Sequence, residues 1–159
     1  NLVLRILVGL WGLGFGLLAV QGIIDPKVFT TQFGIEAPGA SINSVRSDFG
    51  AFFLVSAVCA LWAAAKPEKA KLLYVPAALY GTALVGRLIG LGLGDPASAA
   101  NNQAMIIEGV STLLMLLQRA AWAHKLSPIR RSAEPVEARF AEKHRSPSVA
   151  FGSTGSGLR

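Results

Sequence analysis

Residues 72–93 read LLYVPAALYGTALVGRLIGLGL. The hydrocarbon core of a bilayer is about 30 Å thick and takes roughly 20 apolar residues as helix, so this run is long enough to cross it. It carries one charge, Arg87, whose guanidinium keeps its proton at any ordinary pH. A charge at membrane depth costs at least about 2.5–3.5 kcal/mol on insertion scales, so it turns toward protein and finds a partner. That partner comes from another span of the same chain or from another chain.

Three more stretches have the same character. Leu2–Ile24 is interrupted only by Arg5 and Gln21, Asp48–Ala65 by no charge after its first residue, and about Gln103–Ala123 by Glu108 and Gln118. They are apolar all round rather than striped, which favours lipid over a water-soluble bundle. The expected fold is all-α: a four-helix transmembrane bundle, up-down-up-down, over residues 1–124. The first apolar run is too long for a cleaved leader and has no clear small-x-small site before Asp25. Of the 159 residues 15% are charged, against about 25% in soluble domains. The net charge of +6 does not point to nucleic acid, because the basic residues flank hydrophobic segments and form no stripe interleaved with aromatics. Cys59 stands alone in an apolar run and reads as a small buried hydrophobe; no disulfide framework or metal-ligand spacing is present.

The connections separate into types. Residues 25–47 form the longest loop, broken by Pro26, Gly34, Pro38 and Gly39. KPEKAK at 66–71 reads as a tight cationic turn, and GDPASAANN at 94–102 as a polar turn free of Lys and Arg. Residues 125–159 are polar and charged, with Pro128, Pro135 and Pro147. They read as a cytoplasmic tail, disordered alone or ordered on a partner with Phe140 and Phe151 as anchors. Arg5, Lys66, Lys69, Lys71, Arg119, Lys125, Arg130 and Arg131 fall on one side of the four spans, and Lys27 and Arg46 on the other. The positive-inside rule then places both termini in the cytoplasm, and in a bacterium the protein in the inner membrane.

Depth supplies the partner for Arg87. At about 1.5 Å per residue, Arg87 lies about 22 Å along its span from the cytoplasmic side, and Glu108 about 8 Å into the next span from the other side. The two sit level on neighbouring antiparallel helices, so an Arg87–Glu108 ion pair is expected. Asn43, Arg46 and Asp48 begin the second span, Gln21 and Asp25 end the first, and Asp95 with Asn101, Asn102 and Gln103 lie between the third and the fourth. All four helices deliver polar groups to one end. This cluster either fixes register and caps helices, with Asp48 a plain N-cap and Arg46 reaching the headgroups, or it binds a small polar or anionic group. No nucleophile–base pair, phosphate loop or metal-ligand set accompanies it, and His124 and His144 lie far off in sequence. No catalytic residue, metal or cofactor is expected, and the chain reads as a non-enzyme. Gly12 and Gly16 form a close-packing face on the first span, internal or against another subunit. Gly86, Gly90 and Gly94, every fourth residue, would let a neighbouring helix approach closely.

At NSVRSDFGAFFL, GRLIGLGLGDP and Glu108-Gly109 the chain resembles the small four-helix bacterial membrane proteins grouped as domain of unknown function 4345. Asn43, Arg46, Gly86, Arg87, Asp95 and Glu108 carry the match, which covers roughly residues 2–123. There is a more distant likeness to DoxX-type membrane proteins. The resemblance implies a four-helix fold and no activity, and the tail departs from it. Two functions remain in view: an accessory or scaffold subunit of a larger membrane complex, bound through the glycine faces and tail, or a binder or carrier of a small polar molecule, lipid headgroup or quinone at the polar cluster.

Overall fold

The computed structural model describes residues 2–132, with side chains over residues 2–123. Five α-helices follow one another: α1 (Leu2–Ile24), α2 (Lys27–Phe33), α3 (Ser41–Ala65), α4 (Tyr74–Gly92) and α5 (Ala99–Ser132), with a 3-10 helix, Pro67–Leu73, leading into α4. Four helical segments are long and apolar enough to cross a membrane: Leu2–Ile24, Ser41–Ala65, Pro67–Gly92 and Ala99–Ala123.

The helices pair antiparallel. On α1, Gly9 faces Ala64, Gly12 faces Leu61 and Gly16 faces Ala57, while Ile23 lies over Gly50 at the other end of α3. Gly12 and Gly16 are therefore packing positions inside the chain. A Cβ at Gly12 would stand 2.9 Å from Leu61 Cγ, so only hydrogen fits there without displacement. On the α4–α5 pair, Gly81 faces Thr112 and Gly109 faces Leu84. Among the described side chains of α5, up to Ala123, the buried positions are Ala104, Glu108, Ser111, Met115, Gln118 and Trp122. Their alternating spacing of four and three marks a single inward seam, as left-handed helix packing requires. Outward, Leu10, Leu13, Leu17, Leu88, Ile89, Val110 and Leu113 are exposed. Such rows of exposed apolar side chains suit contact with lipid.

Element boundaries differ from those expected. Ser41, not Asp48, opens α3; Ser41 Oγ donates to the Pro38 carbonyl at 2.7 Å across the Pro38–Gly39 turn. The first two turns of α3 are polar, and hydropathy marks the part of a helix that sits in lipid rather than where its hydrogen bonding begins. The 25–47 connection holds α2, whose first N–H, that of Lys27, donates to Asp25 Oδ1 at 3.0 Å. Gly34 ends α2 at φ +64°, a left-handed cap that glycine takes without strain, and the Ile35 N–H closes onto the Thr30 carbonyl at 2.9 Å. Residues 66–71 lie largely in the 3-10 helix rather than a simple turn. The last helix runs on through Pro128 to Ser132, past Lys125, where the polar tail, disordered alone or ordered on a partner, was expected to begin. A helix already nucleated adds residues at little further cost. The expectations for residues 133–159, including Phe140 and Phe151, lie outside the described residues.

The ends of the bundle are chemically different. At the Lys66 end, the Arg5 guanidinium donates to the carbonyls of Ala64 and Ala65, two of the groups that a helix C-terminus leaves unpaired. Arg119 stacks on the Tyr74 ring, its guanidinium carbon 5.3 Å from the centroid. Gln118, expected only as an interruption of the fourth span, is fully buried in this half. The other end, where α1 leads to α2 and α4 turns into α5, holds most of the aromatic side chains and the Arg87–Glu108 pair.

Candidate functional site

Arg87 and Glu108 meet. Arg87 Nε donates to Glu108 Oε1 at 2.8 Å, and Arg87 Nη1 donates to Asn101 Oδ1 at 2.7 Å. Matched depth brings the pair together: both residues point into the seam between α4 and α5. Asn101 is held from behind, its N–H donating to Ser98 Oγ at 3.0 Å. The Thr112 hydroxyl donates to the Glu108 backbone carbonyl at 2.8 Å and so gives the site no side-chain hydrogen bond. The two ends of the ion pair differ in burial, with the Arg87 side chain 31% exposed and that of Glu108 9%.

Beside the pair lies a cavity of about 300 Å³. Its walls are aromatic: Phe15 from α1, Phe33 from α2, Phe49, Phe52 and Phe53 from α3, and Tyr80 from α4. Phe15 and Phe53 stack at 5.6 Å, as do Phe33 and Phe53. Phe52 lies 4.8 Å from the Tyr80 ring, and Trp11 meets Tyr80 edge-on at 5.2 Å. Trp11 is tied in turn to α5, its Nε1 donating to Ser111 Oγ at 2.8 Å. Offset and edge-to-face rings hold one another in place, so these walls are preformed.

Two lining residues each keep a buried polar atom without a hydrogen-bond partner among the described residues: Tyr80 Oη and Glu108 Oε2. Tyr80 is 1% exposed and Glu108 7%. An unmade hydrogen bond in such surroundings costs about 1–3 kcal/mol, and more for a charged group. Native proteins seldom leave such atoms unsatisfied.

The other expected site residues are divided. Asp48 lines the same cavity, but it is an exposed residue inside α3 rather than its N-cap. Asp95 lines an adjoining polar depression with Arg87, Ser98 and Asn101. Arg87, Phe33 and Ala83 belong to both hollows and form the partition between them. Arg46 lies on a separate shallow depression with Asp25 and Lys27. Asn43 and Gln21 are exposed and line none of these hollows. The Asp95 carboxylate folds over Gly90, and around Gly86 there is open space. Neither glycine receives a neighbouring helix within the described residues.

Tyr80 and the phenylalanines were not among the expected site residues. Their signal was available in the spacing. Tyr80, Ala83 and Arg87 share one face of α4 at i, i+3 and i+7, and Phe49, Phe52 and Phe53 share one face of α3. In a span that is apolar throughout, such a face does not stand out by hydropathy.

A family model described as Domain of unknown function (DUF4345) matches residues 3–118. No curated protein and no solved structure matches the chain.

Proposed function

The chain belongs to the DUF4345 family, and from that premise we propose that it is a membrane-embedded binding protein for a small molecule with an apolar body and a polar end. The observation that carries this reading is the aromatic cavity lined in part by Tyr80 and Glu108, residues that each keep a buried polar atom, Oη and Oε2, without a hydrogen-bond partner among the described residues. Concave, mostly apolar sites with a few placed polar groups are the usual form of small-molecule sites. The rings take the body of the ligand, and the Arg87–Glu108 pair meets its polar end. Binding, not catalysis, is the proposed role. The Lys/Arg asymmetry supports cytoplasmic termini, with the cavity toward the opposite leaflet of a bacterial inner membrane.

The test is retention of a small molecule. The full chain, purified in lipid nanodiscs, is extracted and its extract examined by mass spectrometry. It is then titrated with naphthalene as an apolar aromatic probe. Ala83→Trp, which fills the partition from one side, is expected to abolish both signals while leaving the helical circular dichroism unchanged. A wild-type chain that yields no small molecule and binds naphthalene no better than empty nanodiscs overturns the proposal.

A second reading, accessory subunit of a larger membrane complex, is favoured by the open face of α4 around Gly86, flanked by exposed Val85 and Ile89. Closely packed transmembrane helices use small residues in this way. Lipid covers the same face equally well, so the reading stands second.

A further inference from the structure

Resting on the binding reading above, we infer that the cavity takes a singly charged organic cation with an apolar body, of the alkyl- or arylammonium type, in preference to an anion of similar shape.

The charges in the lining do not balance. Its charge-bearing side chains are Asp48, Glu108 and Arg87, two carboxylates against one guanidinium, which leaves one negative charge. Arg87 and Glu108 hold each other at 2.8 Å. Asp48 forms no ion pair among the described residues, and its Oδ1 accepts from the neighbouring Ser47 hydroxyl at 3.3 Å. The polar end of a ligand that meets the Arg87–Glu108 pair is therefore subject to Asp48 as well. A monocation brings the enclosed charge to zero, and an anion doubles it.

Folding creates this imbalance. Counted along the sequence, Arg46 and Arg87 offset Asp48 and Glu108. Residues two apart on a helix do not face the same way, and Arg46 lines a separate depression with Asp25 and Lys27. The anionic ligand considered for the polar cluster gives way to a cationic one for that reason.

Position and wall chemistry favour the same sign. Gln32 and Asp48 are the exposed residues of the lining, while Phe53, Tyr80, Ala104 and Glu108 are buried. The cavity thus opens between α2 and the start of α3, with Asp48 at its mouth. Phe52 follows Asp48 by one turn of α3, about 6 Å along the axis, so a cation beside Asp48 is close to the rings. Aromatic quadrupoles attract a cation within about 6 Å of the ring centroid. Charge acts through space, and more strongly than in bulk water, so the selection does not depend on which carboxylate atom touches the ligand.

Three probes of similar shape separate charge from fit: phenyltrimethylammonium, its neutral isostere tert-butylbenzene, and the anion benzenesulfonate. Each is titrated by calorimetry into the full chain in phosphatidylcholine nanodiscs, whose lipid carries no net charge, with empty nanodiscs subtracted. The cation is expected to bind at least about tenfold tighter than the anion. Asp48→Asn is expected to lower the ratio of cation to neutral-probe affinity by about tenfold. Arg46→Gln, which changes the surface charge away from the cavity, is expected to leave that ratio as in the wild type. A cation preference over the anion below about tenfold in the wild type overturns the charge selection, and binding of tert-butylbenzene then leaves the binding reading intact. An unchanged ratio in a helical Asp48→Asn chain overturns the charge selection too. Failure of all three probes to bind overturns both.

Discussion

Removing the Glu108 carboxylate leaves the Arg87 guanidinium in a largely apolar seam with Asn101 as its remaining partner. Breaking a buried pair from one side typically costs about 3–5 kcal/mol, whereas replacing both members by apolar residues is often close to neutral. The Arg87 end is part-exposed, which lowers the cost toward about 2–3 kcal/mol on membrane insertion scales. Glu108→Ala is therefore expected to be less stable than the double variant Arg87→Leu with Glu108→Leu. Reversible unfolding in mixed micelles measures the order, and equal stability of the two variants would contradict the pairing. Trp11 gives a smaller effect. Trp11→Phe keeps the ring stack but loses the Nε1–Ser111 bond, and should cost about 1 kcal/mol in the same assay.

Among the helices, the glycines separate into those a side chain cannot replace and those it can. A Cβ at Gly22 would fall on the Phe29 ring, which is fully buried and has nowhere to move. Gly22→Ala is expected to destabilise by about 1–3 kcal/mol, the usual cost of overpacking, and to loosen α2 from the end of the bundle. Limited proteolysis between Gly34 and Gly39 would report that loosening. Gly86 has open space around it. Gly86→Ala is expected to be neutral or to stabilise by up to about 1 kcal/mol through helix propensity. A clear loss of stability in the isolated chain would mean that the α4 face packs more tightly than the structure shows. The short helix α2 also has a consequence for the cavity. It brings Phe33 into the wall beside Phe49 and Phe53, with centroids 5.3 and 5.6 Å away. Phe33→Ala should open the cavity and weaken retention of an aromatic probe by about tenfold or more, which the nanodisc titration measures.

Orientation in the membrane follows from charge rather than from packing. The Lys66 end of the bundle has Arg5, Lys66, Lys69 and Lys71, and the cavity end has Lys27 and Arg46. Cysteine labelling checks this with a membrane-impermeant reagent on intact cells. A cysteine at Ser98, in the α4–α5 turn, is expected to label, and one at Lys69 to label only after lysis. The reverse pattern would place the cavity in the cytoplasmic leaflet.

The four spans, their antiparallel order and the Arg87–Glu108 pair were legible in the amino-acid order, because hydropathy and helical rise act along the chain. Arg87 and Glu108 are close in sequence and lie on helices joined by one turn, so depth alone was enough to pair them. What the linear pattern left open depended on rotation about each helix axis. Hydropathy does not report rotation when a span is apolar on every side. Folding turned Gly12 and Gly16 inward onto α3 and left Gly86 open. It placed Asp48 on the cavity and sent Asn43 and Gln21 outside. The cavity itself arises where rings from four helices converge around Glu108 and Tyr80, residues 28 positions apart. Those rings are drawn together by tertiary packing, and no local spacing encodes the space left between them.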